Sequence, residues 1–486
     1  MNSTLIVEAM HELVGATGVL DSAPDMAPHL IDWRKRHTGR AACVVLPRDT
    51  AQVSKVLAWC NAHDVKVFPQ GGNTSVCGGS VPDASGNSIL LHLAKMNRIV
   101  EVNADNNSMT VEAGCILADI QQAALDADRI FPLTLGAEGS CQIGGNIATN
   151  AGGTNVLRFG NTRDLVLGLE VVLADGRVWN GIRTLRKNNS GYDLKNLFVG
   201  SEGTLGVVTQ ASLKLYPRPR ATATAMIGVD TVHAAVQEGL KLQAAFPGEL
   251  VGLELISRSE FEISLRHAAK GRNPFDATPE WMVLVELAAS SGDDEAIATR
   301  LTDALAPSFE AGVIVDAVVA ASAQQRADLW HIRHHVTEAN GREGMGLTHD
   351  IAVPTYRIPD FMDAANQTLA EHYPAATQVV VGHMGDGNLH YIAMFSHEYW
   401  ASVEDKAGTQ LALSHRLYDI AAGMGGTFSA EHGIGSLHVP EMSLYKDANE
   451  IALMQQMKQL LDPNDTMNPG RVLPARAPVA SASAAH

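Results

Sequence analysis

The chain has 486 residues, 46% of them hydrophobic and 18% charged, enough for two or three domains around a sizeable core. A formal net charge of −17 argues against a nucleic-acid or anionic-membrane partner. No apolar run reaches the roughly 18 residues that a membrane-spanning helix needs. The start, Met1-Asn2-Ser3-Thr4, has no basic segment leading into an apolar one, so no secretory signal and a cytoplasmic location are expected. Cys43, Cys60, Cys77, Cys115 and Cys141 form no CxxC pair and are expected as reduced thiols. Residues 473–486, rich in Ala, Ser and Pro, are expected to be a disordered tail.

Residues 1–40 have a helical texture and carry no motif. A strand is expected at Ala42–Pro47, then a helix through Val53, Val56, Leu57 and Cys60, then a strand at Val65–Pro69. That strand runs into Gly71-Gly72-Asn73-Thr74-Ser75-Val76-Cys77-Gly78-Gly79. Two Gly-Gly pairs let the backbone approach a ligand and point N–H groups at it, which suits a phosphate or pyrophosphate. The loop is neither a Walker loop nor a GxGxxG fingerprint, and by itself it reads equally well as a glycine-rich surface loop. Strands follow at Ile89–Leu93 and Met109–Ala113, with a helix through Leu117, Ile120 and Ala124. Residues 132–153, containing Gly136, Ser140, Gly144, Gly145, Asn146, Asn150, Gly152 and Gly153, hold more small residues than a structural loop needs. They suit a long, flat ligand lying against the chain. A hairpin is expected around Ala174-Asp175, and Gly200-Ser201-Glu202-Gly203-Thr204-Leu205-Gly206-Val207 forms another small-residue strand and turn.

The texture changes near Tyr216-Pro217-Arg218-Pro219, which sets a domain boundary at 218. Beyond it, strands (222–228, 250–256, 281–287, 312–319, 347–353) alternate with helices (231–245, 293–306, 323–340, 358–371, 400–422). The pattern implies an α+β sheet, ferredoxin-like, with helices on one face. Into this falls Gly382-His383-Met384-Gly385-Asp386-Gly387-Asn388-Leu389-His390, a hairpin whose turn lets two histidines converge that one straight strand would send to opposite faces. Further on comes Ser429-Ala430-Glu431-His432-Gly433. Two imidazoles and a carboxylate suit zinc or another first-row divalent metal with one position open, so His383, His390 and Glu431 are the candidate ligands. His432 is then free to move a proton. The alternative is a plain turn flanked by hydrogen-bonded core histidines. Leu461–Arg471 ends the ordered chain in a turn.

Taken together, Pro69–Thr74, Ile143–Asn146 with Asn150–Gly153, Gly200–Gly206, Gly382–His390, Glu431–Gly433 and Asn468–Gly470 resemble the vanillyl-alcohol oxidase/p-cresol methylhydroxylase flavoproteins. Within them the chain is similar to the D-2-hydroxyglutarate and D-lactate dehydrogenase branch over residues 30–472. The resemblance implies a two-subdomain FAD-binding domain (1–218, core about 38–217), a substrate domain (219–425) and a C-terminal segment (426–472) closing on the flavin. It implies noncovalent FAD on the segments just described, including Val207 and Asn468, because Asn73 and Thr74 stand where covalent relatives often have histidine. It also implies metal at His383, His390 and Glu431, proton removal by His432, and hydride transfer from a D-2-hydroxy acid to flavin. Electrons would pass to an electron-transfer flavoprotein or a quinone, and a homodimer fits the family.

Arg333 and Thr337 match the family's substrate-binding helix. Two positions depart from it. Thr348 stands where the branch usually has lysine, and Ile392 where it has an asparagine that contacts a substrate carboxylate. Both losses favour a monoacid, or an apolar side chain, over D-2-hydroxyglutarate. A flavin-binding electron-transfer subunit without substrate chemistry is the contrasting class, and it would have no use for the histidines.

Overall fold

A computed structural model describes residues 2–267 and 272–474. The expected tail falls almost wholly outside them.

The N-terminal part holds two sheets. Cys43–Val45, Ser88–His92 and Lys66–Gln70 run parallel, with Val19–Leu20 antiparallel on the edge. Five antiparallel strands form the other sheet, in the order Ile99–Asn103, Ser108–Glu112, Val207–Lys214, Val166–Val172, Val178–Gly181. The helix Thr50–Ala62 starts where the Asp49 carboxylate accepts the Gln52 N–H at 2.8 Å. It buries Val53, Val56, Leu57 and Cys60 completely, on the i, i+3, i+4, i+7 stripe that the sequence displays. Each such side chain stabilises the fold by roughly 1.5–3 kcal/mol. All five cysteines are buried and free.

One helix was not legible. Ile143–Thr149 lies inside the stretch read as loop. Two adjacent glycines in seven residues cost a helix about 1 kcal/mol each, so propensity points away from it. Packing overrides propensity: a Cβ on Gly144 would sit 2.8 Å from the Ala113 side chain. Asn150 closes the helix in the left-handed region at φ 51°.

From Ala221 onward seven strands form one antiparallel sheet, ordered Ile314–Val319, Ala221–Val229, Trp281–Ala289, Leu250–Ser257, Thr377–His383, Asn388–Phe395, Met345–Ala352. The period of two sorts the strands into two faces. Leu255, Val283, Val380, Leu389 and Tyr391 pack under helices Val232–Ala245, Asp294–Glu310, Ile358–His372 and Lys406–Gly423. Ile256, Met282, Leu284 and Val381 face the other way, against Phe261, Leu329, Ile332 and Val336. Helices therefore cover both faces, not one. The second layer comprises Arg258–His267, which shows no apolar stripe in sequence, and the expected 323–340 helix, broken at His335 into Ala323–His334 and Val336–Glu343.

Two further helices, Val439–Tyr445 and Ala448–Leu461, also escaped the sequence pattern. The longer one buries only Lys458, whose ammonium donates to Asp462 and to the carbonyls of Thr204 and Met467, while its apolar residues Ile451, Met454, Met457 and Leu461 stay half-buried. The chain then returns to the first sheet, where the Val67 and Asn468 N–H groups bond the Thr466 and Val67 carbonyls at 2.8 Å.

Candidate active site

A cavity of about 1090 Å³ runs between the N-terminal part and the second face of the large sheet. Its N-terminal wall contains Pro69, Gly71, Gly72, Asn73, Thr74 and Gly79, then Gly136, Ser140, Gly144, Gly145, Asn146, Gly152 and Gly153, then Glu202, Gly206 and Val207. Three expected cofactor residues lie off the cavity. Asn150 caps its helix and accepts the Arg163 N–H at 2.9 Å. Gly78, at φ +68°, turns the chain beside Ser436 and His37. Asn468 donates to the carbonyls of Gly79 (3.2 Å) and Glu202 (2.7 Å), so it braces two wall segments from behind. Asn73 lines the cavity, but its side chain is bonded to the Pro28 and Ile31 carbonyls and to Ser80.

The wall suits a flat, polar-edged cofactor. A Cβ on Gly72 or Gly153 would strike the carbonyl oxygens of Ser140 or Thr134, whereas Gly136 and Gly145 face open space that a side chain would invade. The buried Gln142 Oε1 and Asn146 Oδ1 have no hydrogen-bond partner among the described residues.

The opposite wall is built by the sheet. His383, His390, Ile392, Thr348, Asp350 and Glu254 all lie on its second face, because each takes the matching parity of its strand. Glu254 is the cross-strand partner of His383, and Asp350 of His390. The turn between the histidines does bring them together. His390 Nε2 lies 3.2 Å from Glu431 Oε1, and His383 Nε2 lies 3.7 Å from Glu431 Oε2. Ligand atoms of His383, His390 and Glu431 all fall within 4.8 Å of one another, the spacing of a donor set around one cation. His432 stacks on His390 with ring centroids 5.3 Å apart, its Nε2 3.8 Å from Glu431 Oε1.

Two carboxylates that the motifs did not single out hold this group. Asp350 Oδ2 accepts the backbone N–H groups of Ala430, Glu431 and His432 at 2.9–3.1 Å, and Oδ1 accepts from Asn388 Nδ2 at 2.9 Å. The same carboxylate lies 3.4 Å from His432 Nδ1 and 3.6 Å from His390 Nδ1. Burial pushes the Asp350 carboxyl up, but the imidazoles of His432 and His390 outweigh burial and hold it below its usual value. Glu254 is buried to 1% exposure and accepts from His383 Nδ1 at 2.8 Å and Arg333 Nε at 2.7 Å. Burial would lower the His383 imidazole, yet the charges of Glu254 and Glu431 raise it to about 10. An imidazole that holds a positive charge so firmly occupies a site of strongly negative potential, and a divalent cation satisfies the same field. A charged residue amid Leu253, Leu255 and Ile256 was the sequence signal for Glu254.

All four expected substrate residues line the cavity. Arg333 is on the helix Ala323–His334 and Thr337 just past its break. Thr348 and Ile392 are direct cross-strand partners, so the two departures from the family pattern sit side by side. Glu202 lines the cavity and also anchors the loop that carries Glu431 and His432: its carboxylate accepts the Ile434 and Gly435 N–H groups at 2.7 Å.

The chain matches the family model "FAD linked oxidases, C-terminal domain" over residues 218–472 and "FAD binding domain" over residues 41–181. The chain belongs to the FAD-linked oxidase family. Among relatives, the mitochondrial D-2-hydroxyglutarate dehydrogenase of Rattus norvegicus is 36% identical over 92% of this chain and 81% of the rat protein. The D-2-hydroxyglutarate dehydrogenase of Xanthomonas citri pv. viticola is 34% identical over 96% of both chains. The solved structure of p-cresol methylhydroxylase superposes with a TM-score of 0.75 at 15% identity, covering 96% of each chain, a likeness of fold. The protein is thus an FAD-dependent oxidoreductase whose mixed helix–sheet fold is of the p-cresol methylhydroxylase type, and the resemblance read from the motifs holds. No helix among the described residues is long and apolar enough to cross a membrane.

Proposed function

We propose that the protein is a metal-dependent dehydrogenase that oxidises a D-2-hydroxy acid to the 2-oxo acid. The carrying observation is the convergence of His383, His390, Glu431 and His432 on the cavity that the glycine-rich FAD wall also lines. FAD, held noncovalently, supplies the acceptor for the hydride that leaves the α-carbon. A divalent cation, zinc foremost, at His383, His390 and Glu431 supplies Lewis acidity that lowers the pKa of the substrate hydroxyl.

The remaining work belongs to side chains. Arg333, held at Nε by Glu254, keeps its terminal N–H groups for the substrate carboxylate. With Nδ1 directed at Asp350, His432 presents Nε2 as the base for the hydroxyl proton. Asp350 then lies beside the imidazolium that forms, and its three backbone bonds keep it in place.

The substrate is a monoacid with an uncharged side chain. Ile392, in the cavity wall, packs with Ile263, Ala339, Val379 and Met394 into a buried apolar cluster, and Thr348 beside it carries no charge. Asn340, also in the cavity wall, donates to the buried Glu260, so the nearest ionisable group behind it is an acid. An unpaired distal carboxylate there costs on the order of several kcal/mol. D-2-hydroxyglutarate is the second reading, favoured by the names of the relatives and by Arg333. Steady-state kinetics over a panel of D-2-hydroxy acids separates them. The highest kcat/KM is expected for an uncharged side chain; a highest value for D-2-hydroxyglutarate overturns the substrate reading. The electron acceptor is proposed to be an electron-transfer flavoprotein or a quinone, the location cytoplasmic and the assembly a homodimer.

A further inference from the structure

Glu254 has one carboxylate oxygen on a proposed metal ligand and the other on a proposed substrate ligand. Oε1 accepts from His383 Nδ1 at 2.8 Å and Oε2 from Arg333 Nε at 2.7 Å. Its side chain is 1% exposed, and its strand neighbours Leu253, Leu255 and Ile256 are buried and apolar. A buried charge in that setting is expensive, and packing alone would be served as well by an apolar residue of similar size. The bond to Nδ1 turns Nε2 of His383 toward Glu431 and leaves it unprotonated when a cation is present. The bond to Nε fixes the plane of the Arg333 guanidinium and leaves its outer edge facing the cavity.

From this geometry we infer that Glu254 is a positioning residue that couples the metal to the substrate carboxylate: one rigid anion sets both His383 and Arg333. The inference rests on the metal and Arg333 roles proposed above. It makes the two sites interdependent through the carboxylate that His383 and Arg333 share. Glu254→Gln cannot serve both partners, since its amide nitrogen would meet either the His383 or the Arg333 donor. Arg333→Gln removes one partner and leaves the carboxylate on His383 alone.

The test uses the FAD- and metal-loaded protein, with metal release to a chromogenic chelator followed in the absence of substrate, and with KM and kcat measured separately. Glu254→Gln is expected to speed metal release by about 10–100-fold and to raise KM for the hydroxy acid. Arg333→Gln is expected to change metal release by roughly twofold or more, as coupled neighbours do. If Arg333→Gln alters KM alone and leaves metal release at the wild-type rate, the coupling is refuted even where Glu254→Gln does not fold. If Glu254→Gln folds, binds FAD and matches wild type in both readouts, the positioning role is refuted. A wild-type chain that takes up no metal overturns the metal reading itself, and the inference with it, before any variant is compared.

Discussion

His432 and Glu260 show what single side chains contribute. His432 is 28% exposed at the cavity and its ring is steadied by Asp350 and by stacking on His390. His432→Asn removes the base while leaving all three proposed metal ligands in place. It should lower kcat by roughly 10²–10⁴-fold while metal and FAD content stay at wild-type levels, measured by elemental analysis and the flavin spectrum. Lost metal would instead place His432 among the ligands. Glu260 is a different case. Burial raises its carboxyl to about 7, against the bonds from Asn340 and Ser264, where 4.5 is the ordinary value. Between those values the folded chain keeps a proton that the unfolded chain has lost. The contribution is complete below the ordinary value and lost as pH rises through 7. Glu260→Gln should therefore gain thermal stability over wild type as pH rises from about 5 to about 8. A pH-independent difference would contradict this. Residues in a motif, such as His383 and Glu431, were legible. Glu254, Asp350 and Asn340 were not, because their roles arise from strand register and helix packing that bring distant residues together.

At the scale of elements, the antiparallel pair Met345–Ala352 and Asn388–Phe395 sets Thr348 against Ile392, which is where the proposed preference for a monoacid would be written. Thr348→Lys combined with Ile392→Asn restores a cation and an amide on one face. Relative kcat/KM for D-2-hydroxyglutarate over a D-2-hydroxy monoacid should rise roughly tenfold or more, equivalent to about 1.4 kcal/mol. An unchanged ratio would mean that this pair does not read the distal end of the substrate. Strong periodicities were readable: the 53–60 helical stripe, the alternating strands and the histidine hairpin. The elements missed were those that tertiary contact imposes. Ile143–Thr149 is a helix despite its glycines, and the residue that Ala448–Leu461 buries most fully is a lysine.

Over the whole molecule, the site exists only where the two parts meet. Glu202 lies within the small-residue strand-and-turn motif of the N-terminal part, yet its carboxylate holds the loop after His432 through two bonds of 2.7 Å. Glu202→Ala should free that loop: kcat falls, and limited proteolysis cuts near residues 430–437 faster, with the five-stranded sheet intact. Unchanged cleavage would show that Asp350 alone anchors the loop. The meeting of the parts was legible only through the ordered set of motifs, since neither the glycine-rich segments nor the histidine hairpin carries the contact by itself.

FAD, the cation site and His432 are proposed to act on one substrate in one cavity. The visible spectrum of the purified protein, recorded anaerobically on adding a D-2-hydroxy acid before and after chelation, tests it most directly. The flavin absorbance is expected to bleach with the D-acid, to resist the L-acid, and to stop bleaching once the cation is removed, recovering when zinc is restored. A flavin spectrum that bleaches equally well after complete metal removal would contradict it.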